Sequence, residues 1–167
     1  MALLVTDEDV GRLLTMEDAI TAVEDVFRQW AQGEASLVPR MVATPPDTPG
    51  HYYLRWFMPG AIYGSGVIGA KILIVQAPGT EPRKPGTYLV LLFDSQDASL
   101  LAAIEGATLT KIRTGAVTGA AAKYLARPSS ATLGIFGTGA YAPAQVVAIC
   151  TVLPIQRVKV YSRNPAN

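Results

Sequence analysis

The chain has 167 residues, 50% of them hydrophobic and 16% charged, with a formal net charge of +1. That length is enough to bury a core and suggests about one domain. The near-neutral balance, with no basic run interleaved with aromatics, leaves no electrostatic footprint for nucleic acid. One cysteine, Cys150, and one histidine, His51, exclude an internal disulfide framework, a cysteine-rich zinc site and a multi-histidine metal site.

The chain opens with acids at Asp7, Glu8 and Asp9 and no basic segment before an apolar core, so no signal peptide is expected. No uninterrupted apolar run reaches the roughly 18 residues of a membrane-spanning helix, and a cytoplasmic protein is the default expectation. Residues 6–14 predict a short helix capped by Thr6. Thr15 opens a second helix with Glu17 and Asp18 in its first turn. Ala19, Ile20, Val23, Val26, Phe27 and Trp30 recur there at helical spacing and read as a core stripe, with Gly33 closing the helix.

Strand patterns follow. Residues 38–44 and 52–58 predict a hairpin around the proline-rich turn 45–50, and His51 reads as a loop or strand-edge residue. Residues 67–76, 88–93 and 100–104 continue as strands of an antiparallel meander, separated by a loop with three prolines at 78–86 and a turn at 94–97. Residues 107–126, rich in Ala and Thr, predict a helix closed by Arg127 and Pro128. Gly115 and Gly119 weaken it by about 1 kcal/mol each against Ala, and small residues there suit close packing against another helix or a ligand. A boundary falls near 127–130, between an α+β part and the start of an α/β part.

Residues 131–136 form a strand pattern that runs into G-x-G-x-x-A at 137–142. A helical segment, 143–152, and a second strand, 157–161, come next, in the order a dinucleotide site requires. Gly137 permits the tight bend, Gly139 lets a pyrophosphate approach the backbone, and Ala142 allows helix and strand to pack closely. The helix N-terminus offers unpaired N–H groups and a positive dipole end. A turn used only for packing is the alternative. Cys150, in the apolar run of this helix, reads as a buried, inert thiol. The second strand ends in Tyr161, Ser162, Arg163 and Asn164, without the acid that takes the ribose hydroxyls of NAD. Arg163 would suit a 2′-phosphate, so NADP(H) is expected over NAD(H), unless Arg163 is an ordinary surface residue. Two parallel strands alone leave an open sheet edge, which predicts poor stability or oligomerisation.

Three cations stand among apolar or small neighbours: Arg40, Lys71 and Arg113. A buried cation needs a partner, and an external carboxylate fits an arginine fork. A lysine so placed also suits proton transfer. Alternation leaves the other placement open, with each side chain on a solvent face.

Together these residues resemble the ornithine cyclodeaminase/mu-crystallin family. The resemblance covers essentially the whole chain. It includes residues 16–20 (MEDAI), Pro39 with Arg40, Met58 with Pro59, 69–71 (GAK) and 91–94 (LLFD). It is strongest at 106–115 (GATLTKIRTG), 125–128 (LARP) and Gly137-Thr138-Gly139 with Gln145.

The resemblance implies an enzyme that binds NADP(H) or NAD(H) and acts at the α-carbon of a small amino or imino acid. Such activities include ornithine cyclodeamination, ketimine reduction, alanine dehydrogenation and opine-type coupling. It implies that Arg40 and Arg113 hold the substrate carboxylate and that Lys71, both substrate-binding and catalytic, sits near the reacting α-carbon, holding the carboxylate or relaying a proton. Met58 would line the pocket. Thr114, Gly137, Thr138, Gly139, Ala140, Tyr141, Ala142 and Gln145 would meet the cofactor, and the strand end adds Ser162 and Arg163. No metal is implied. Residues 1–126 would be an α+β substrate-binding and dimerisation domain, with a homodimer joined through its sheet. Residues 127–167 would be the first βαβ unit of a Rossmann-type domain, here incomplete.

The chain departs from the family in length, since members are about twice as long. The aspartate thought to assist proton transfer lies in the part not present. Glu105, Gly60 and Tyr141 replace the commoner Asp, Ala and Gln. The front half of a longer protein is the favoured reading, with activity absent from the isolated piece. The alternative is a non-catalytic mu-crystallin-like protein that binds a nucleotide or small ligand.

Overall fold

Four consecutive apolar segments form the meander that the pattern predicts: β3 (Tyr52–Ile62), β4 (Val67–Gln76), β5 (Thr87–Asp94) and β6 (Leu100–Glu105), each antiparallel to the next. In the computed structural model, which describes residues 1–45 and 48–163, two short strands complete this sheet. β1 (Leu3–Val5) adds to β6 in parallel and β2 (Ala35–Leu37) adds to β3, giving the order β1-β6-β5-β4-β3-β2. Three apolar residues are too few to show alternation, so β1 has no signature in the sequence. Glu105 accepts a 2.8 Å hydrogen bond from the Asp7 amide, which ties the end of β6 to the chain leaving β1.

The strand expected at 38–44 is not formed. β2 lies earlier, and within 38–44 only Met41 bridges to β3, at Phe57. Pro39 has no N–H to give a ladder, which breaks the pairing between Leu37 and Met41. The partner strand tolerates its own proline for the same reason. Pro59 lies between Phe57, paired with Met41, and Gly60, paired with Leu37, where the ladder is interrupted. The middle of the expected proline-rich turn, residues 46 and 47, lies outside the described residues.

The register gives the sheet two distinct faces. Met58, Lys71, Val90 and Ile104 form one cross-strand row, and Trp56, Leu73 and Tyr88 form the row beside it. Leu73, Ala102 and Ala35, the buried strand residues, all belong to this face. The opposite face carries Phe57, Ile72, Leu89, Pro59, Ala70, Leu91, Ile68 and Phe93, none of them fully buried.

The chain divides into two compact units: Met1–Val10 with Arg28–Ala107, which contains this sheet, and Gly11–Phe27 with the described residues from Thr108 onward. Two capped helices begin as expected. In α1 (Asp7–Leu13) the Thr6 hydroxyl accepts from the Asp9 amide at 3.1 Å, while Asp9 accepts from the Thr6 amide. In α2 (Met16–Ala31) the Thr15 hydroxyl accepts from the Asp18 amide at 3.1 Å. Gly33, at φ 78°, follows the helix in the left-handed conformation that favours glycine.

The second unit packs α2 against α3 (Ala107–Leu125), with Ala19, Ile20, Ala116 and Ala120 at the centre. Val23, Ile112, Leu14 and Met16 surround them. The expected stripe along α2 is only partly core: Phe27 is 46% and Trp30 is 52% exposed. The side chain buried instead is Glu24, whose carboxylate lies 3.0 Å from the Lys123 ammonium. Lys123 is near the end of α3, so the stripe continues past the helix that would cover it.

The predicted strand–turn–helix–strand is present as β7 (Thr132–Phe136), α4 (Ala142–Val152) and β8 (Arg157–Tyr161), with β7 and β8 parallel. α3 and α4 meet through glycine. A Cβ on Gly115 would stand 2.5 Å from the Ala144 carbonyl oxygen, and one on Gly119 would stand 3.1 Å from that of Ala148. Their small size thus serves helix–helix contact. Cys150 is exposed, not buried as expected. Ala144, Ala148 and Val152 repeat every fourth residue on the inward side of α4, and the 100° step of a helix turns Val147 and Cys150 away from it.

Candidate functional site

The glycine turn is built by the ends of β7 and β8. Gly137 takes φ 100°, which an L side chain rarely adopts, and its amide donates to the Tyr161 carbonyl at 2.7 Å. Thr138 and Ser162 join the two strand ends by a 3.3 Å contact between their hydroxyls. A Cβ placed on Gly137 or Gly139 would find no atom within 4 Å, so the backbone here is open to an approaching group. The Ala142 amide returns to the Gly139 carbonyl at 2.9 Å and starts α4, with Tyr141 as its N-cap residue and the Gln145 amide bonding to the Tyr141 carbonyl at 3.2 Å.

No side chain caps this helix. Its N-terminal end therefore presents a positive dipole with backbone donors still to be satisfied. Ala140 and Tyr141 are exposed beside it. A cleft of about 430 Å³ opens at the turn, lined by Phe136, Gly137, Thr138, Gly139, Tyr161, Ser162 and Arg163. Its glycine backbone, the Thr138 and Ser162 hydroxyls and the neighbouring helix N-terminus suit a phosphate-bearing group, and Arg163 adds a cation at its rim. Asn164 falls outside the described residues.

Thr114 and Arg113 belong to the same unit. Both precede Gly115, the residue that packs on Ala144 in the first turn of α4. The Thr114 hydroxyl donates to the Thr110 carbonyl at 2.6 Å, and Arg113 is exposed.

The other expected residues lie on the six-stranded sheet. Lys71 pairs with Met58 across β3 and β4, so both project from one face. This is the face of Leu73, which is 2% exposed, and Lys71 is half-buried there. The register thus settles the question that alternation alone leaves open. The Lys71 ammonium lies 5.4 Å from the ring centroid of Tyr88, and the Arg40 guanidinium lies 5.1 Å from that of Trp56. Arg40 itself is exposed.

The structure therefore groups Arg40, Met58 and Lys71 in the first unit and Arg113, Thr114 and the glycine turn in the second. Sequence reasoning missed Trp56 and Tyr88, which accompany the two cations, and Arg55, whose guanidinium is also 5.1 Å from the Trp56 ring centroid. The signal was present only in the register: Trp56, Leu73 and Tyr88 align once the irregularity between Leu54 and Trp56 is known.

A six-stranded mixed sheet with a half-buried lysine, followed in the chain by a βαβ unit like the one that opens a Rossmann-type domain, defines the fold class. The chain belongs to the ornithine cyclodeaminase/mu-crystallin family, whose profile matches residues 2–167. It is 41% identical over 162 residues to a Delta(1)-pyrroline-2-carboxylate reductase of Bacillus cereus, covering 96% of this chain and 49% of that protein. It is 36% identical over 155 residues to an L-lysine cyclodeaminase of Streptomyces rapamycinicus, covering 89% and 43% respectively. Among solved structures it is similar to Thermococcus litoralis Delta(1)-pyrroline-2-carboxylate reductase in complex with NADH and L-proline. That likeness has a TM-score of 0.87 at 32% identity, covering 98% of this chain and 50% of the other. The chain spans about half the length of the curated relatives it matches. No helix among the described residues is long and apolar enough to cross a membrane.

Proposed function

We propose that the protein at its natural full length is an NAD(P)-dependent enzyme acting at the α-carbon of a small amino or imino acid, of the imine reductase or cyclodeaminase type. The observation that carries this reading is Lys71, half-buried beside Met58 on the covered face of the sheet, in a chain that also builds an open glycine turn before an uncapped helix. Residues 1–126 bind the substrate, and residues from 127 begin the cofactor domain. Arg40 and Arg113 hold the substrate carboxylate through their forked donors. Met58 packs against the substrate's apolar part. Lys71 stands at the α-carbon, where it holds the carboxylate or relays a proton.

Gly137, Thr138, Gly139, Ala140, Tyr141 and Ala142 would hold the phosphates of a dinucleotide, with Thr114 and Gln145 as neighbouring contacts. A bound nicotinamide would supply hydride-transfer chemistry at the α-carbon. The protein is a homodimer, with the part-exposed apolar face of the sheet as the joining surface; the row Phe57, Ile72 and Leu89 supports this.

Turnover separates the two activity types. Net oxidation of NADPH by Delta(1)-pyrroline-2-carboxylate marks a reductase. Ammonia released from ornithine or lysine without net cofactor change marks a cyclodeaminase. Neither reaction, with cofactor still bound, overturns the enzyme in favour of a binding protein.

NADP(H) is the preferred cofactor, since Arg163 lines the cleft and no acid stands beside it at Tyr161 or Ser162. A charge-assisted contact to a 2′-phosphate is worth about 1.5–3 kcal/mol, so Arg163→Asp is expected to shift the ratio of NADPH to NADH dissociation constants by tenfold or more toward NADH. A wild-type preference for NADH that Arg163→Asp leaves unmoved contradicts this.

A further inference from the structure

Arg40 is exposed and sits in a stretch with no regular strand, where the nearest ladder contact is the isolated bridge from Met41 to Phe57. An arginine on such a segment loses much side-chain freedom when it must hold a ligand in one place. Trp56 offers a fixed point. It lies within β3, paired with Leu73, on the face that carries Lys71, and its indole centroid is 5.1 Å from the Arg40 guanidinium. Arg55, at the irregularity in the β3 ladder, approaches the same ring to 5.1 Å. Two guanidinium contacts on one indole hold the ring from two neighbouring backbone segments.

We propose that Trp56 is a positioning residue for substrate binding: its indole, also engaged by Arg55, holds the Arg40 guanidinium where it meets the substrate carboxylate. This rests on the reading of Arg40 as a carboxylate-binding residue. A stacked guanidinium keeps its in-plane N–H donors free, so the indole orients the fork without consuming it. The ring's negative face is the required property, not its bulk.

The test is steady-state kinetics of the full-length protein with NADPH and Delta(1)-pyrroline-2-carboxylate, on Trp56→Leu, Trp56→Phe, Arg40→Ala and the double variant Arg40→Ala with Trp56→Leu. Trp56→Leu is expected to raise KM about tenfold, with kcat within about twofold of the parent, and Trp56→Phe to stay within about threefold of the parent KM. In the Arg40→Ala background Trp56→Leu should add no further rise, because both changes remove one interaction. Should Trp56→Leu not fold, Trp56→Met, apolar and with a more adaptable unbranched chain, carries the same expected rise. An unchanged KM in Arg40→Ala overturns the carboxylate assignment itself. A raised KM in Arg40→Ala together with an unchanged or fully additive effect of the Trp56 variant overturns the positioning role alone.

Discussion

Replacing Lys71 with alanine in the full-length protein is expected to lower turnover by roughly 10²–10⁴-fold, the range for loss of a positioned proton-transfer group. The expectation follows from where the side chain is held. Lys71 is central in β4, bonded on one side to β3 at Met58 and on the other to β5 at Val90. Its backbone is therefore fixed by two ladders, and Tyr88 lies 5.4 Å from its ammonium. A cation that served only solubility would sit on the rim of the sheet, not in its middle and half-covered. Lys71→Arg keeps the charge but not the compact ammonium, so it should recover only a small part of the rate. The check is kcat for NADPH-linked turnover in parent and variants, with cofactor binding measured alongside. Near-normal turnover in Lys71→Ala removes the residue from the chemistry.

The second large effect falls on stability. In an exposed helix, Gly→Ala gains about 1 kcal/mol through helix propensity. At Gly115 the sign is expected to invert. An added Cβ would lie 2.5 Å from the Ala144 carbonyl oxygen and 2.8 Å from its carbon, and these are backbone atoms of α4 that cannot rotate aside. Overpacking of this kind costs about 1–3 kcal/mol, and a larger residue such as valine should cost more. Gly11, in α1, is the control. A Cβ there meets only the Thr108 methyl, at 3.8 Å, so Gly11→Ala should be neutral or stabilising. Urea or thermal unfolding of the two alanine variants checks the contrast. Gly115→Ala is also expected to weaken NADPH binding, because the same contact sets where the first turn of α4 stands beside the glycine loop. A stabilised Gly115→Ala with unchanged cofactor affinity contradicts the close seam between α3 and α4.

The legible parts of the chain were those with long, regular patterns. β4 and α3 carry enough residues for their periods to show, and β7, the glycine turn, α4 and β8 carry a signature tied to backbone geometry, borne out by Gly137 at φ 100°. Short elements were not legible: β1 and β2 have three residues each. The strand expected at 38–44 failed because apolar content outweighed Pro39 in the reading. Phe27 and Trp30 matched the helical period but extend beyond the partner helix, which periodicity cannot reveal.

The candidate site shows the same limit. Arg40, Lys71 and Arg113 stood out as cations among apolar neighbours, but the face that Lys71 occupies depends on register. Trp56 and Arg55 are concealed by an irregularity in β3 that no composition rule marks. The Cys150 expectation failed because an apolar helix in sequence is not a helix covered on all sides.

The most direct test of the enzyme reading follows the hydride itself. The full-length protein would be incubated with Delta(1)-pyrroline-2-carboxylate and NADPH deuterated at the transferable position of the nicotinamide, and the product examined by mass spectrometry. The account predicts one deuterium at the α-carbon of proline for each cofactor oxidised, and loss of that transfer in Lys71→Ala. Tight cofactor binding with no deuterium reaching the product from labelled NADPH and cyclic imino acids, and no α-deuterium carried into a cyclic product from α-deuterated ornithine or lysine with NADP+ or NAD+, would contradict it.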